Sequence, residues 1–253
     1  MAINLDAIRS RLNGLKNANN RTSNIWRPDP GEHQIRIVPY AHNRENPFIE
    51  LYFHYNLGNK KSTLSPSSFG RPDPVVEFAE KLKQTGDKND WLMGRKLEPK
   101  MRTYVPVIVR GQENEGVKFW GFGKLIYQEL LSIIADPDYG DITDLKEGRD
   151  VVVTVKSAEE AGKSYAETSI RIKPKQTPAT DNPAVVDKIK EQPVITELYP
   201  EPTYEDLNAQ LKTWLGQSEE ESDSPKSEES RTGGAKPAPT VTDVEAAFDD
   251  LFN

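Results

Sequence analysis

Hydrophobic and polar residues alternate along six short segments of the chain, which is the spacing expected of β-strands that bury one face. The segments are 33–38, 48–55, 100–105, 118–124, 150–156 and 168–173. Turn-forming residues mark breaks in the pattern, as in the cluster at 26–31 that precedes the first strand. The pattern therefore predicts a chain built mainly from short strands.

A second pattern, with apolar residues three and four positions apart, predicts a few helices. It occurs over 4–16, 74–83, 125–134 and 204–215, and Gly216 is expected to end the last helix. Many strands and few helices favour a mainly β fold with flanking helices. The specific prediction is an oligonucleotide-binding (OB) type five-stranded Greek-key barrel with insertions.

The first of these helices is amphipathic and basic. Its apolar positions are Leu5, Ile8, Leu12 and Leu15, and its basic positions off that face are Arg9, Arg11 and Lys16. A helix this short is marginal alone and needs a surface to pack on. Two interpretations stay open: a helix docked on its own domain, or an arm that packs on a neighbouring copy.

Basic and aromatic side chains are interleaved in the two central strands. The two-residue period places Lys100, Arg102 and Tyr104 on one face of the first strand, and Lys118 with Trp120 on one face of the next. Cations neutralise phosphates and rings stack on bases, so the pattern predicts a surface for single-stranded nucleic acid. The predicted phosphate contacts are Lys100, Arg102, Arg110, Lys118 and Lys124, and the predicted base contacts are Tyr104 and Trp120.

The net charge of −7 is unevenly distributed along the chain. Residues 217–253 contain ten acidic and three basic side chains, so this tail alone accounts for the net charge. Residues 60–124 are basic, with 13 cations against 8 acids. An acidic tail beside a basic block predicts that the tail competes for the binding surface.

The composition of the tail predicts disorder, because it holds too little apolar surface to offset the entropy of folding. Its last residues differ, since apolar side chains recur there at helical spacing among acids. These side chains are Val244, Phe248, Leu251 and Phe252. The pattern favours a partner-docking peptide on a flexible tether, and the alternative is a tail kept only for solubility.

Missing residue types disfavour several functional classes. The chain has no cysteine, and its histidines, His33, His42 and His54, lack the spacing of a zinc site. We therefore expect no disulfide, no metal and no other cofactor. The chain also lacks an apolar run of about 18 residues and the apolar core of a signal peptide. These absences favour a soluble, cytoplasmic protein without a membrane partner.

Two loops imitate enzyme motifs. Residues 157–164 resemble a phosphate-binding loop, but Ser157 replaces its first glycine and a strand pattern follows. Residues 136–141 imitate a calcium loop, but Gly140 falls one position early. A hairpin turn and an acidic surface loop are the favoured interpretations, so we expect no enzyme. A metal-dependent nuclease is the weaker alternative.

Several separate motifs resemble, in order and spacing, the helix-destabilising single-stranded DNA-binding protein family of T-even-type bacteriophages. They are GEHQIRIVP at 31–39, KMRTY at 100–104, NEGV at 114–117 leading to FGK at 122–124, and the weaker YEDLN at 204–208. The similarity covers most of residues 1–216, and the tail agrees in its acidic character.

The resemblance implies an OB-type core, an N-terminal arm for cooperative self-association, and an acidic C-terminal region that recruits replication and recombination proteins. The implied DNA contacts are Lys100, Arg102, Tyr104, Trp120 and Tyr165. It also places Arg9 and Arg11 near the family's cooperativity motif. The implied domains are the arm at 1–21, the core at 22–216 with an inserted subdomain at about 55–97, and the tail at 217–253.

One departure from the family concerns metal. Its best-known member holds a zinc ion with one His and three Cys. Here His54 matches the His position, but the Cys positions fall near Leu64, Asp73 and Val76, so the metal is not carried over. Ordinary packing is expected to hold the inserted subdomain, with the candidates Phe69, Val75, Val76, Phe78, Leu82, Trp91 and Leu92.

Residues and resemblance together predict a cooperative, sequence-nonspecific single-stranded DNA-binding protein. It is expected to coat and protect DNA strands during phage DNA replication, recombination and repair, in the cytoplasm of the infected host cell if the protein is phage-encoded. An RNA-binding translational regulator with the same barrel is the alternative.

Overall fold

The computed structural model describes residues 24–222. It contains an open, mixed sheet of eight strands with flanking helices, which confirms the predicted mainly β class with flanking helices. The predictions for the arm residues Arg9, Arg11 and Lys16, and for the docking residues Val244, Phe248, Leu251 and Phe252, lie outside the described residues. The chain forms two compact units, which in the described part comprise 24–50 with 102–199, and 51–101 with 200–222.

The strands are β1 (Ile25–Trp26), β2 (Gly31–Ile37), β3 (Ile49–Leu57), β4 (Lys60–Leu64), β5 (Lys100–Val109), β6 (Lys118–Phe122), β7 (Arg149–Lys156) and β8 (Glu167–Gln176). The helices are α1 (Pro74–Gln84), α2 (Lys88–Leu97), α3 (Lys124–Ala135), α4 (Ala158–Ala161), α5 (Pro183–Lys190), α6 (Ile195–Leu198) and α7 (Tyr204–Ser222). Short 3-10 turns occupy Pro66–Phe69 and Glu113–Glu115.

Six strands of the first unit lie in the order β1-β6-β5-β2-β7-β8. The β1–β6 pair is parallel, and β6–β5, β5–β2, β2–β7 and β7–β8 are antiparallel. The hairpin between β7 and β8 turns through α4, where Ser157 and Glu160 form a capping box and Gly162 is left-handed. The loop predicted as a hairpin turn is therefore a helical hairpin connection.

Both faces of the central strands are buried, and β5 has no exposed residue from Thr103 to Val109. One face lies in a core that α3 completes, with members that include Ile35, Val105, Val107, Trp120, Ile126, Leu130 and Val153. The opposite face lies in a second core that α5 completes, formed by Val38, Ile108, Val117, Ala179, Val185 and Ile189. A strand covered on both sides reads as a continuous apolar run, which β5 shows from Tyr104 to Val109.

The second unit consists of the β3–β4 hairpin with α1, α2 and α7. Its core contains Leu57, Val75, Phe78, Ala79, Leu82, Leu97, Leu207 and Leu211. The predicted core positions Val75, Phe78 and Leu82 are confirmed, and Val76 is half-buried. The same prediction is wrong for Phe69, Trp91 and Leu92, which are 36%, 43% and 45% exposed. These side chains lie on the solvent side of the turn or helix that contains them.

The last helix runs through Gly216 to Ser222, so the expected end at Gly216 is wrong. A glycine ends a helix when it takes a left-handed conformation, and Gly216 does not take one. The Gln and Glu residues that follow are good helix formers, which favours continuation. The structure also adds elements that the patterns missed, namely β1, β4, α2, α5 and α6.

A tight contact between α1 and α2 depends on Gly94. A Cβ atom at this position would lie 2.6 Å from the Ala79 carbonyl oxygen, closer than side-chain atoms pack. Glycine is therefore required at Gly94 by the close approach of α1, although it is a poor helix residue.

Gly94→Ala is expected to lower the free energy of unfolding by about 1–3 kcal/mol, because the added methyl group must displace the α1 backbone. Gly216→Ala is the matched control, since both glycines lie in helices and a Cβ at 216 meets nothing within 4 Å. The control should raise stability by about 0.5–1 kcal/mol. Urea unfolding measures both changes, and equal effects of the two substitutions would contradict the packing account.

Candidate nucleic-acid interface

An open cleft of about 240 Å³ lies in the first unit, where chain segments from several strands meet. Its lining residues are Trp26, Arg27, Pro28, Arg102, Trp120, Gly121, Phe122, Gly123, Ile126, Val155, Ala166 and Thr168. They come from β1, β5, β6, the start of α3, the end of β7 and the start of β8. The cleft is therefore lined by residues of β1 and β8, the two ends of the strand order.

The cleft carries cations and no acid among its lining residues. Arg27 is exposed, and so is Arg102, whose Nη2 donates to the Gly121 carbonyl oxygen at 3.1 Å. That hydrogen bond fixes the guanidinium over β6 and leaves further N–H donors for a ligand. Guanidinium donors suit phosphate oxygens, so this border of the cleft fits a phosphodiester backbone.

The start of α3 adds to the positive character of the cleft. Gly123 is the N-cap residue and lines the cleft, and it has no side chain with which to cap the helix. The first turn of α3 contains no acid, and Lys124 is exposed. The first-turn N–H groups of a helix carry partial positive charge, which favours an anion nearby.

The most exposed aromatic ring of the described residues is Tyr165, at 63%. It directly precedes Ala166 in the cleft lining, and the Lys163 Nζ, which is ion-paired with Glu167 at 2.9 Å, lies 5.8 Å from its ring centroid. An exposed ring beside a cation is the combination that stacks on a base while neutralising a phosphate.

The register of β5 and β6 corrects the assumption that Tyr104 and Trp120 share one surface. Tyr104 lies opposite Gly121, and Val105 lies opposite Trp120. Directly opposed residues of antiparallel strands share a face, so the two rings lie on opposite faces of the sheet.

Neither ring is open to solvent. Trp120 is 2% exposed and packs edge-on to Trp26 at 6.0 Å between ring centroids, which places it in the floor of the cleft. Tyr104 is 6% exposed, and its hydroxyl donates to the Tyr199 hydroxyl at 2.9 Å. Gly121 is needed for this packing, since a Cβ there would lie 2.6 Å from the Tyr104 ring. Both rings therefore support the interface from within, and base stacking on them stays a prediction.

The predicted contact Arg110 is engaged inside the first unit. Its guanidinium donates to both oxygens of Asp150, at 3.0 and 2.8 Å, and to the carbonyl oxygens of Pro178 and Ala179. Asp150 is also paired with the fully buried Arg36 at 2.8 Å. Burial acts to raise the pKa of the Asp150 carboxyl, but hydrogen bonds and charge from its partners hold that pKa below its usual value. Arg110 therefore has a structural role that the basic pattern did not distinguish.

The remaining predicted residues occupy different surroundings. Lys118 is ion-paired with Glu115, and Lys124 and Lys100 are exposed, the latter in the second unit. Phe119 and Phe122 are both buried, and Phe122 also lines the cleft. Of the predicted contacts, Arg102 and Trp120 line the cleft. Lys124 and Tyr165 are adjacent in sequence to lining residues. Arg110 and Lys118 are not part of the lining.

Sequence reasoning missed Trp26 and Arg27, which border the cleft. They were assigned to a turn cluster, because a strand of two residues is too short to show alternation. The one sequence feature that could have indicated them is an aromatic residue next to a basic one. The same feature led to the prediction of a binding surface on the central strands.

The loops that imitate enzyme motifs are used for turn formation. The Asp136 and Asp141 carboxylates accept hydrogen bonds from backbone N–H groups two residues on, and Asp144 does so from Lys146 and Glu147. Among the described residues, no group of three or more His, Cys, Asp or Glu could hold a metal ion. Within the same part of the chain, no helix is long and apolar enough to cross a membrane.

Comparison with protein-family models finds a match over residues 29–218 to the family described as gp32 DNA binding protein like. The chain belongs to this gp32-like family. The match spans three quarters of the chain and includes the cleft, and it confirms the resemblance drawn from the separate motifs. A search of curated proteins found no match. Membership of the family supports a single-stranded DNA-binding role for the protein.

In the second unit His54, which matches the position of the family's zinc-binding His, belongs to a hydrogen-bonded cluster. Both ring nitrogens of the buried His54 are engaged, with Nδ1 2.9 Å from the Leu97 carbonyl oxygen and Nε2 2.9 Å from the Asp73 carboxylate. Both ring nitrogens therefore face oxygen atoms of the second unit, and neither is presented to a metal ion. Asp73 stands near an expected Cys position and also accepts hydrogen bonds from Ser65 and from two N–H groups at the start of α1.

This hydrogen-bonded cluster holds the second unit together where the family member has metal. Burial acts to raise the pKa of the Asp73 carboxyl. The hydrogen bond and charge of His54, and the hydrogen bonds from Ser65 and the Val75 N–H, outweigh burial and hold this pKa below its usual value. A depressed carboxyl pKa means that the stabilisation is present above about pH 4 and is lost as pH falls through the folded-state pKa.

Asp73→Asn is expected to lower the free energy of unfolding by about 3 kcal/mol at pH 7, because it leaves the buried His54 without its carboxylate. Urea unfolding at pH 7 and at pH 3 measures the difference, which should shrink at pH 3 as the wild-type carboxyl protonates. The matched control is Asp87→Asn, a second helix N-cap without a histidine partner, which should change stability by less than about 0.5 kcal/mol. A stability difference for the Asp73 variant that is independent of pH would contradict the ion-pair account.

Proposed function

We propose that this protein is a cooperative, sequence-nonspecific single-stranded DNA-binding protein that coats and protects strands exposed during phage DNA replication, recombination and repair. The observation that carries the proposal is the acid-free cleft bordered by Arg27 and Arg102, with the exposed Tyr165 beside it. The gp32-like family match supports it independently. None of the groups at the cleft recognises a particular base, which agrees with nonspecific binding.

In this proposal each part of the cleft has a separate role. Arg27, Arg102 and the start of α3 neutralise phosphates and release counterions, which makes the affinity fall as salt rises. Tyr165 stacks on a base, and Lys163 holds the adjacent phosphate. The proposal also takes the sheet of the first unit as an OB-type barrel, a class that binds oligonucleotides on its surface.

The segments beyond the described residues complete the proposal. The basic arm at 1–21 would mediate self-association along the strand, and the acidic tail would bind replication and recombination proteins through its terminal apolar side chains. We propose no catalytic activity and a cytoplasmic location in the infected host cell. An RNA-binding regulator would prefer ribose-containing strands, and a nuclease would degrade the DNA in magnesium.

Arg102→Gln is expected to weaken binding of a labelled oligodeoxythymidine and to reduce the salt slope by about 0.7, the value of one phosphate contact on a single strand. Fluorescence anisotropy at several salt concentrations measures both. Lys190→Gln is the matched control, because it removes the same charge from an exposed position on α5. Unchanged slopes in both variants would remove the cleft from the binding site.

Tyr165→Ala is expected to lower affinity by about 1–3 kcal/mol at every salt concentration, because it removes a stacking ring and no charge. Tyr165→Phe keeps the ring and should retain most of the affinity. The same anisotropy titration distinguishes the two variants. Equal losses in both would assign the effect to the hydroxyl group and contradict stacking.

A further inference from the structure

The solvent face of α2 in the second unit holds an exposed aromatic ring among cations. Trp91 is 43% exposed, and the guanidinium carbon of Arg95 lies 5.2 Å from its ring centroid. Lys88 and Lys96 are also exposed on this helix. The face therefore repeats, in another unit, the combination found at Tyr165 and Lys163.

The core of the second unit does not need this ring. Helix α2 packs through its other side, where Asp90, Gly94 and Leu97 are buried and Met93 adjoins the core. An indole left in water forgoes a large gain from burial, and exposed aromatic residues are a feature of binding surfaces. The position of Trp91 is therefore better explained by a ligand than by packing.

The charge of the face favours a polyanion as that ligand. Lys88, Arg95 and Lys96 are exposed, whereas the acid within α2, Asp90, is buried. Glu98 follows the helix, where it accepts from Lys83 at 2.8 Å and lies 3.6 Å from Arg95. Since Glu98 is shared between two cations, the face keeps a positive balance.

We propose that the α2 face is a second base-stacking site for single-stranded DNA, with Trp91 stacking on a base and Arg95 and Lys96 contacting phosphates. The inference rests on the proposed function and extends it to the second unit. A ring flanked by cations on a helix whose own acid is buried matches a stacked base and its phosphate.

The test uses the full chain with a fluorescein-labelled oligodeoxythymidine. Trp91→Ala is expected to weaken binding about tenfold, and Trp91→Phe to keep the affinity within about threefold because a ring remains. Leu92→Ala is the matched control, since Leu92 is equally exposed on the same helix but has no ring; it should change affinity by less than about twofold. Thermal unfolding of each variant confirms that the fold is intact.

Intrinsic fluorescence gives a second readout. Trp26 and Trp120 line the cleft and Trp214 is half-buried, so the exposed Trp91 should add a separate part to the DNA-induced quenching. That part should be lost in Trp91→Phe, while the part from the cleft tryptophans should stay. Wild-type affinity in Trp91→Ala, with the whole of the quenching retained in Trp91→Phe, would overturn the inference. Wild-type DNA affinity in Trp91→Ala, combined with impaired self-association of this variant in sedimentation, would also overturn the inference and identify a protein interface. In either case binding by the wild type would leave the proposed function standing, whereas no binding by the wild type would remove both.

Discussion

Burial of both faces of the central strands is the constraint on which the rest of the structure depends. The central part of β5 is covered by one core on the side of α3 and by another on the side of α5, so neither of its faces remains for a ligand. Binding chemistry is consequently confined to strand ends, sheet edges and connecting loops. The cleft is lined by residues of β1 and β8, the two ends of the strand order, and its cations come from strand ends and turns.

Two buried ion-pair clusters make this arrangement possible. In the first unit, Asp150 binds Arg36 and Arg110 and joins β2, β5 and β7 to the segment that follows β8. In the second unit, Asp73 binds His54 and joins β3 to the start of α1. Buried charges are tolerated when each is paired and fully hydrogen-bonded, and losing one partner is costly. These charged residues are therefore internal supports, although they belong to the residue types that also bind phosphates.

The extent to which the sequence predicted the structure follows from this distinction. Alternation located most of the strands, and the helical period located α1, α3 and α7, because those signals are local. The assignment of Tyr104 and Trp120 to one surface failed because it needed the register of β5 against β6, which is a non-local property. The prediction that Trp91 is a core residue failed for the same reason, because a tryptophan that faces solvent has the same local pattern as a buried one. The sequence also did not show that Arg110 binds Asp150, which lies 40 residues away. The exposed Tyr165 was identified by family resemblance, and its exposure is a result of the structure.

The central claim is that a basic, ring-bearing surface grips single-stranded DNA without reading its sequence. The most direct measurement is an equilibrium titration of the full chain with a labelled oligodeoxythymidine, repeated over a range of salt concentrations and with duplex of the same length as competitor. The account predicts tight binding whose logarithm falls linearly with the logarithm of salt concentration, and weak competition by duplex. Absence of binding, affinity independent of salt, or equal preference for duplex would contradict it.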